Sequence, residues 1–107
     1  MELRRLGRTG LCVGVIGLGT VKLGRTRGLK HPVPAAALPT DEEAEHLLRT
    51  GAELGVNLID TAPAYGISEQ RIGELMQRHG WFGGRDRWVL CTKAGEEFDP
   101  DGVGGAW

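Results

Sequence analysis

The sequence predicts an α/β fold with a parallel sheet, and three observations carry that prediction. Short apolar runs alternate with two stretches of helical periodicity, in the order strand–helix–strand–helix–strand. The two helical stretches open on hydroxyl-bearing residues and close on glycine, so each connection can serve as a right-handed crossover. Polar residues that need partners, Asp60 and Lys93, stand where the second and third strand-like runs stop.

The opening elements are a hairpin and a strand. Glu2 to Arg5 and Leu11 to Ile16 read as two short strands around the turn Gly7-Arg8-Thr9-Gly10, whose glycines permit positive φ. Val15 to Thr20 reads as a buried strand running into a glycine loop. Its tail, Gly17-Leu18-Gly19-Thr20-Val21-Lys22, approaches the GxGxxG dinucleotide fingerprint, but Lys22 stands in place of the third glycine. That fingerprint also needs a helix directly after the loop, and Pro32, Pro34 and Pro39 speak against one. Gly24 to Thr40, basic at Arg25, Arg27 and Lys30, reads as a solvated surface loop.

Thr40-Asp41-Glu42-Glu43 is a capping box that starts the first helix. Ala44, Leu47, Leu48, Gly51 and Ala52 mark its buried face, His46 lies off that face, and Gly55 suits the C-terminal cap. Val56 to Thr61 is the second strand; Leu58 and Asp60 share one side, Ile59 and Thr61 the other. Ser68 is the expected N-cap of the second helix, with Glu69 in its first turn. Ile72, Leu75, Met76 and His79 form its buried stripe, and Gly80 ends it. Arg87 to Thr92 is the third strand, with Trp88, Leu90 and Thr92 on one side and Val89, Cys91 and Lys93 on the other. Beyond Gly95, Glu96, Glu97, Asp99 and Asp101 read as an acidic loop, and Trp107 follows without a cap or turn.

Composition narrows the function classes. A hydrophobic fraction of 40% with 25% charged residues fits a globular domain that can bury a core. A net charge of -1 gives no electrostatic case for a nucleic-acid or anionic-membrane partner. No apolar run approaches the roughly 18 residues of a membrane span, and the start, Met1 to Arg5, lacks a signal-peptide core. Cys12 and Cys91 form no metal-ligand cluster. They are expected to be buried free thiols of a cytoplasmic protein.

The stretch from Asn57 to Gly66 is where chemistry concentrates. If Ile59 packs on the helices, Asp60 faces the opposite side of the sheet, and Lys93 can share that side. Neighbouring strands lie about 4.8 Å apart, so a salt bridge between them is easily made. The loop between them carries the chain's one tyrosine, Tyr65. A cation beside a phenol stabilises the phenolate, and a carboxylate can hold that cation in place. Asp60, Tyr65 and Lys93 therefore make a proton-donor constellation.

These residues, in this order, resemble the aldo-keto reductases. Asn57 to Glu69 is similar to that family's NxIDTAxxYGxSE segment, and Thr92 to Gly95 to its TKxG segment. The opening, Leu6 to Leu11 followed by Ile16 to Thr20, is similar to the family's start. The resemblance implies the N-terminal part of a (β/α)8 TIM barrel: a β-hairpin that plugs the barrel bottom, then about three βα units. It implies NAD(P)H-dependent reduction of aldehydes and ketones, with NADP(H) or NAD(H) as cofactor and a small carbonyl compound as substrate. Tyr65 would be the general acid, Lys93 and Asp60 its catalytic partners, and Gly19, Thr20 and Asp60 would lie against the cofactor.

A closed barrel takes about 250 residues, and this chain has 107. The expectation is an incomplete N-terminal fragment of the barrel domain over residues 1–107, which associates with itself through open sheet edges. The family's fourth site residue, a histidine further along, has no counterpart in His31, His46 or His79. The alternative function is a non-catalytic truncated remnant or a nucleotide-binding subunit.

Overall fold

The structure, a computed structural model, describes residues 1–26 and 37–95, together with the backbone at 97–98 and 105–106. The basic residues Arg27 and Lys30, His31, and the acidic positions Glu96, Asp99 and Asp101 lie outside the described residues. The hairpin forms from β1 (Leu3–Arg5) and β2 (Cys12–Gly14), antiparallel, with Leu3 opposite Gly14 and Arg5 opposite Cys12. Its turn places Gly7 at φ +54° and Gly10 at φ +79°, the left-handed region in which glycine is unstrained.

Three strands follow as a parallel sheet in sequence order: β3 (Leu18–Gly19), β4 (Leu58–Asp60) and β5 (Val89–Cys91). Two helices provide the crossovers, α1 (Asp41–Glu53) between β3 and β4, and α2 (Ser68–Arg78) between β4 and β5. After β3 the chain makes only a short 3-10 turn, Val21–Leu23. A dinucleotide fold would need a phosphate-binding helix there. Near the end, β6 (Glu97–Phe98) pairs antiparallel with β7 (Gly105–Ala106).

Register decides which side chains meet. Leu18, Ile59 and Leu90 align across the sheet, as do Gly19, Asp60 and Cys91. Ile59 is fully buried on the helix side with Leu48, Leu75, Met76, Leu23 and Trp88. Asp60 therefore projects to the other face, as the alternation predicts. The capping box of α1 forms in full: Glu43 N–H donates to Thr40 Oγ1 at 3.1 Å, and Thr40 N–H to Glu43 Oε1 at 3.0 Å. The Glu43 carboxyl is held below its ordinary value, first by the Thr40 N–H and next by the Thr40 hydroxyl. Gly55, at φ +94°, follows the Leu54 cap.

Several expectations need correction. Cys12 and Cys91 are exposed, not buried. Cys91 is in register with Asp60, on the sheet face opposite the helices. Cys12 neighbours the buried Val13 in β2, and alternation along the strand turns it to the other, open side. Leu47 is 41% exposed, because α1 is buried along a narrower stripe through Ala44 and Leu48. Val15 and Ile16 are exposed, and only Leu18–Gly19 of that run pairs as a strand. Gly24, expected in a surface loop, is buried. Ser68 is not the N-cap of α2 but its first residue, after Ile67.

Three side chains fasten these layers by hydrogen-bonding backbone. Asn57 accepts from Gly14 N–H at 2.8 Å and donates to the Cys12 carbonyl at 2.9 Å, stitching the hairpin to the base of β4. Arg87 donates to the carbonyls of Ala52 and Val56, both at 2.9 Å, closing the end of α1. The Trp88 indole donates to the Trp81 carbonyl at 2.6 Å.

Candidate active site

The site lies at the C-terminal ends of β4 and β5, where a run of buried backbone gives way to loops. Lys93 Nζ donates to Asp60 Oδ1 at 2.7 Å and to the Thr61 carbonyl at 3.1 Å. The same ammonium stands 4.9 Å from the centroid of the Tyr65 ring. The three residues singled out from the sequence are thus brought together. The Asp60–Lys93 pair is about half exposed, 45% and 46% by side chain. Pairs that open to water contribute about 0–1 kcal/mol to stability, so this one does little to hold the fold together. Its consequence is electrostatic: Lys93 is held above its ordinary value, first by the Asp60 carboxylate and next by the Tyr65 side chain. The lysine stays cationic beside the phenol.

Tyr65 owes its position to main-chain packing. Its N–H donates to the Ala62 carbonyl at 3.1 Å, and its carbonyl accepts from Ser68 N–H at 3.0 Å. Gly24 lies directly against this loop, and its carbonyl accepts from Ile67 N–H at 3.4 Å. A Cβ at Gly24 would collide with the Ser68 amide and the Tyr65 carbonyl; one at Gly66 would collide with the Gly24 carbonyl. Gly66 also needs φ +59°. Glycine at both positions lets two backbones touch.

Gly19 and Thr20 flank Asp60 from β3, and they differ in what they can offer. Gly19 is exposed, and no atom lies within 4 Å of where its Cβ would be. It leaves open space beside Asp60, its register partner. Thr20 is fully buried. Its N–H donates to the Asp60 carbonyl at 3.1 Å and its hydroxyl to the same oxygen at 2.9 Å. The Ser68 hydroxyl in turn donates to the Thr20 carbonyl at 2.5 Å. Thr20 thus acts on the site through the backbone of Asp60.

Three contributors become visible only in the folded chain. Ser68 reads as a cap in the sequence, and its hydroxyl instead ties α2 to Thr20 at the end of β3. Thr92, beside Lys93, donates to Glu69 Oε2 at 2.6 Å and so links the end of β5 to the first turn of α2. Arg71 is buried, with its guanidinium on the carbonyls of Leu23 and Pro39 and the carboxylate of Asp41. A signal for Arg71 existed: it lies four residues before Leu75 on the helix's buried stripe, where an arginine must find acceptors. Among the described residues, no cluster of His, Cys, Asp and Glu could hold a metal ion. No helix among them is long and apolar enough to cross a membrane.

Comparison with known proteins gives a consistent picture. The family model described as "Aldo/keto reductase family" matches residues 15–106. The chain is 38% identical over 96 residues to pyridoxal 4-dehydrogenase of Microbacterium luteolum, which covers 88% of this chain and 24% of that protein. Among solved structures, an aldo-keto reductase from Pseudomonas aeruginosa is 47% identical with a TM-score of 0.74, over 94% of this chain and 34% of that one. The holo form of an aldo-keto reductase from Bacillus halodurans is 29% identical with a TM-score of 0.72, over 100% of this chain and 30% of that one. The chain therefore spans between a quarter and a third of the length of these relatives. Its hairpin and parallel sheet correspond to part of their TIM barrel.

Proposed function

This chain belongs to the aldo/keto reductase family, and we propose that it carries the proton-donor site of a nicotinamide-dependent reductase of aldehydes and ketones. The observation that carries the reading is the Lys93 ammonium, bonded to Asp60 at 2.7 Å and set 4.9 Å from the Tyr65 ring. Residues 1–107 correspond to about a third of the barrel chains that they resemble, and this third carries the three residues.

A bound nicotinamide, NADP(H) with NAD(H) as the alternative, would supply the hydride, which no side chain here can donate. The open space over Gly19 suits the close approach of a flat ring and its ribose. Gly19, Thr20 and Asp60 would hold it, Thr20 by fixing the Asp60 backbone. As hydride reaches the carbonyl carbon, the carbonyl oxygen gains charge and takes the Tyr65 hydroxyl proton. Electron pairs balance: the C=O π pair becomes a lone pair on oxygen, then the new O–H bond. Tyr65 is left as phenolate, which the Lys93 ammonium stabilises and Asp60 keeps from swinging away. In the reverse direction the phenolate is the base, which agrees with a relative named as a dehydrogenase.

The test is turnover of NADPH with a small aldehyde by the protein and by Tyr65→Phe. General acid catalysis contributes about 10²–10⁴-fold, so the variant should lose that much in kcat and keep its cofactor affinity. Unchanged kcat in Tyr65→Phe would refute the assignment. The short span relative to its relatives favours one second reading, a nucleotide-binding but non-catalytic chain. It predicts binding without turnover in the unaltered protein.

A further inference from the structure

The geometry points to Arg71 as a positioning residue for Tyr65, acting through the backbone of Gly24. The proposal rests on the reading of Tyr65 and Lys93 as the site, and it concerns what holds them together. Arg71 is 7% exposed, on the inner side of α2. Its Nη1 donates to the Leu23 carbonyl at 2.7 Å, and its Nη2 to the Pro39 carbonyl at 2.6 Å and Asp41 Oδ1 at 3.1 Å.

The Leu23 carbonyl belongs to the peptide unit that joins Leu23 to Gly24. Fixing that peptide fixes Gly24, whose main chain fills the space beneath residues 65–68. No atom can be added at Gly24 or Gly66 without a backbone collision, so a shift of Gly24 must be followed by the Tyr65 loop. The second and third acceptors serve the same end. Pro39 and Asp41 stand at the entry to α1, so the guanidinium clamps the chain after β3 to the start of α1 and to α2 at once. A buried guanidinium needs such acceptors, since an unpaired one is strongly unfavourable. The fold could have satisfied the stripe with a leucine at 71. An arginine there couples the Leu23–Gly24 peptide, which lies against the Tyr65 loop, to the start of α1.

The ring contact gives a readout that does not depend on activity. Tyr65 is the chain's one tyrosine, and its lysines are Lys22, Lys30 and Lys93. The Lys93 ammonium lies 4.9 Å from the Tyr65 ring centroid, so the adjoining ε-methylene protons should show an upfield ring-current shift with nuclear Overhauser contacts to the ring. We expect Arg71→Leu to lose most of that shift and those contacts while its circular dichroism remains native. Arg71→Lys, which keeps a donor for the Leu23 carbonyl, should restore part of both. Asp41→Asn leaves the backbone acceptors in place and should leave the ring contact intact. If Arg71→Leu fails to fold, the Arg71→Lys and Asp41→Asn comparison carries the test. An unaltered Lys93 signature in a folded Arg71→Leu, or in Arg71→Lys where Arg71→Leu does not fold, would overturn the proposal and leave Arg71 a structural residue. Absence of the ring-current shift in the unaltered protein would refute the site geometry itself, a separate failure. A normal signature with no turnover would count against the reductase reading alone.

Discussion

Gly24→Ala and Gly73→Ala are the same chemical change and should have opposite effects. Each replaces glycine by alanine and so restricts the unfolded chain to a similar degree. The difference between them reports the folded state. At Gly73, within α2, a new Cβ meets nothing within 4 Å. Alanine there removes the helix cost of glycine, a gain of about 0.5–1 kcal/mol. At Gly24 the new Cβ would run into the Ser68 amide and the Tyr65 carbonyl. Overpacking costs about 1–3 kcal/mol when side chains can shift. Here the obstructing atoms are main chain, so the cost should lie at the upper end, about 3 kcal/mol. The unfolded-chain gain is common to both and cancels, so the two variants should differ by about 3 kcal/mol, a large share of the 5–15 kcal/mol that keeps an ordinary domain folded. Urea unfolding followed by tryptophan fluorescence gives the midpoints, and an unchanged slope would show that the denatured state is not the cause. Gly24→Ala should also move Tyr65 away from Lys93. A Gly24→Ala protein as stable as the unaltered one, with the ring contact intact, would refute the backbone-to-backbone account of the site.

Three other outcomes are expected. Asn57→Ala should detach the hairpin from β4 and cost about 1–3 kcal/mol by leaving partners unsatisfied, with faster hydrogen exchange at Gly14 as the local sign. Thr40→Ala should cost about 1 kcal/mol. Because Glu43 is held below its ordinary value, the stability it adds is present above that value and is lost as pH falls through the folded one. Thr40→Ala removes the hydroxyl, the smaller of the two causes, and keeps the N–H, so it should flatten the acid limb of a stability–pH profile only in part. Lys93 has the opposite sign: its pKa is raised from 10.5, so its contribution is present below that value and lost as pH climbs through the folded one. Asp60→Asn removes the largest cause, and a 15N titration of the lysine ammonium groups should show Lys93 titrating at lower pH in that variant.

What the sequence disclosed followed from periodicity and from residues with one physical use. The capping box at Thr40–Glu43, the alternation that turns Asp60 away from Ile59, and the meeting of Asp60 with Lys93 all follow from local rules and one assumed strand pairing. What stayed hidden depended on how far each layer is covered. Cys91 and Leu47 are apolar or weakly polar, and a sequence reads them as core. Whether they are enclosed is decided by the elements that pack on them, and α1 and the sheet bury only one stripe and one face. Ser68 shows a second limit. A serine ahead of a helical run reads as a cap, but here its hydroxyl is taken by the carbonyl of Thr20, 48 positions earlier. The Gly24–Gly66 contact is of the same kind, since neither glycine reveals its partner until the chain is folded.

The most direct test is a titration of the protein with NADPH, followed by quenching of its tryptophan fluorescence, beside the Gly19→Val variant. Valine suits a strand and fills space that the fold leaves open at Gly19, so the variant should melt like the unaltered protein. A nicotinamide site floored by Gly19 predicts saturable quenching by the unaltered protein and its loss in Gly19→Val. Equal saturation in both, or no saturation in a folded, unaltered protein, would contradict it.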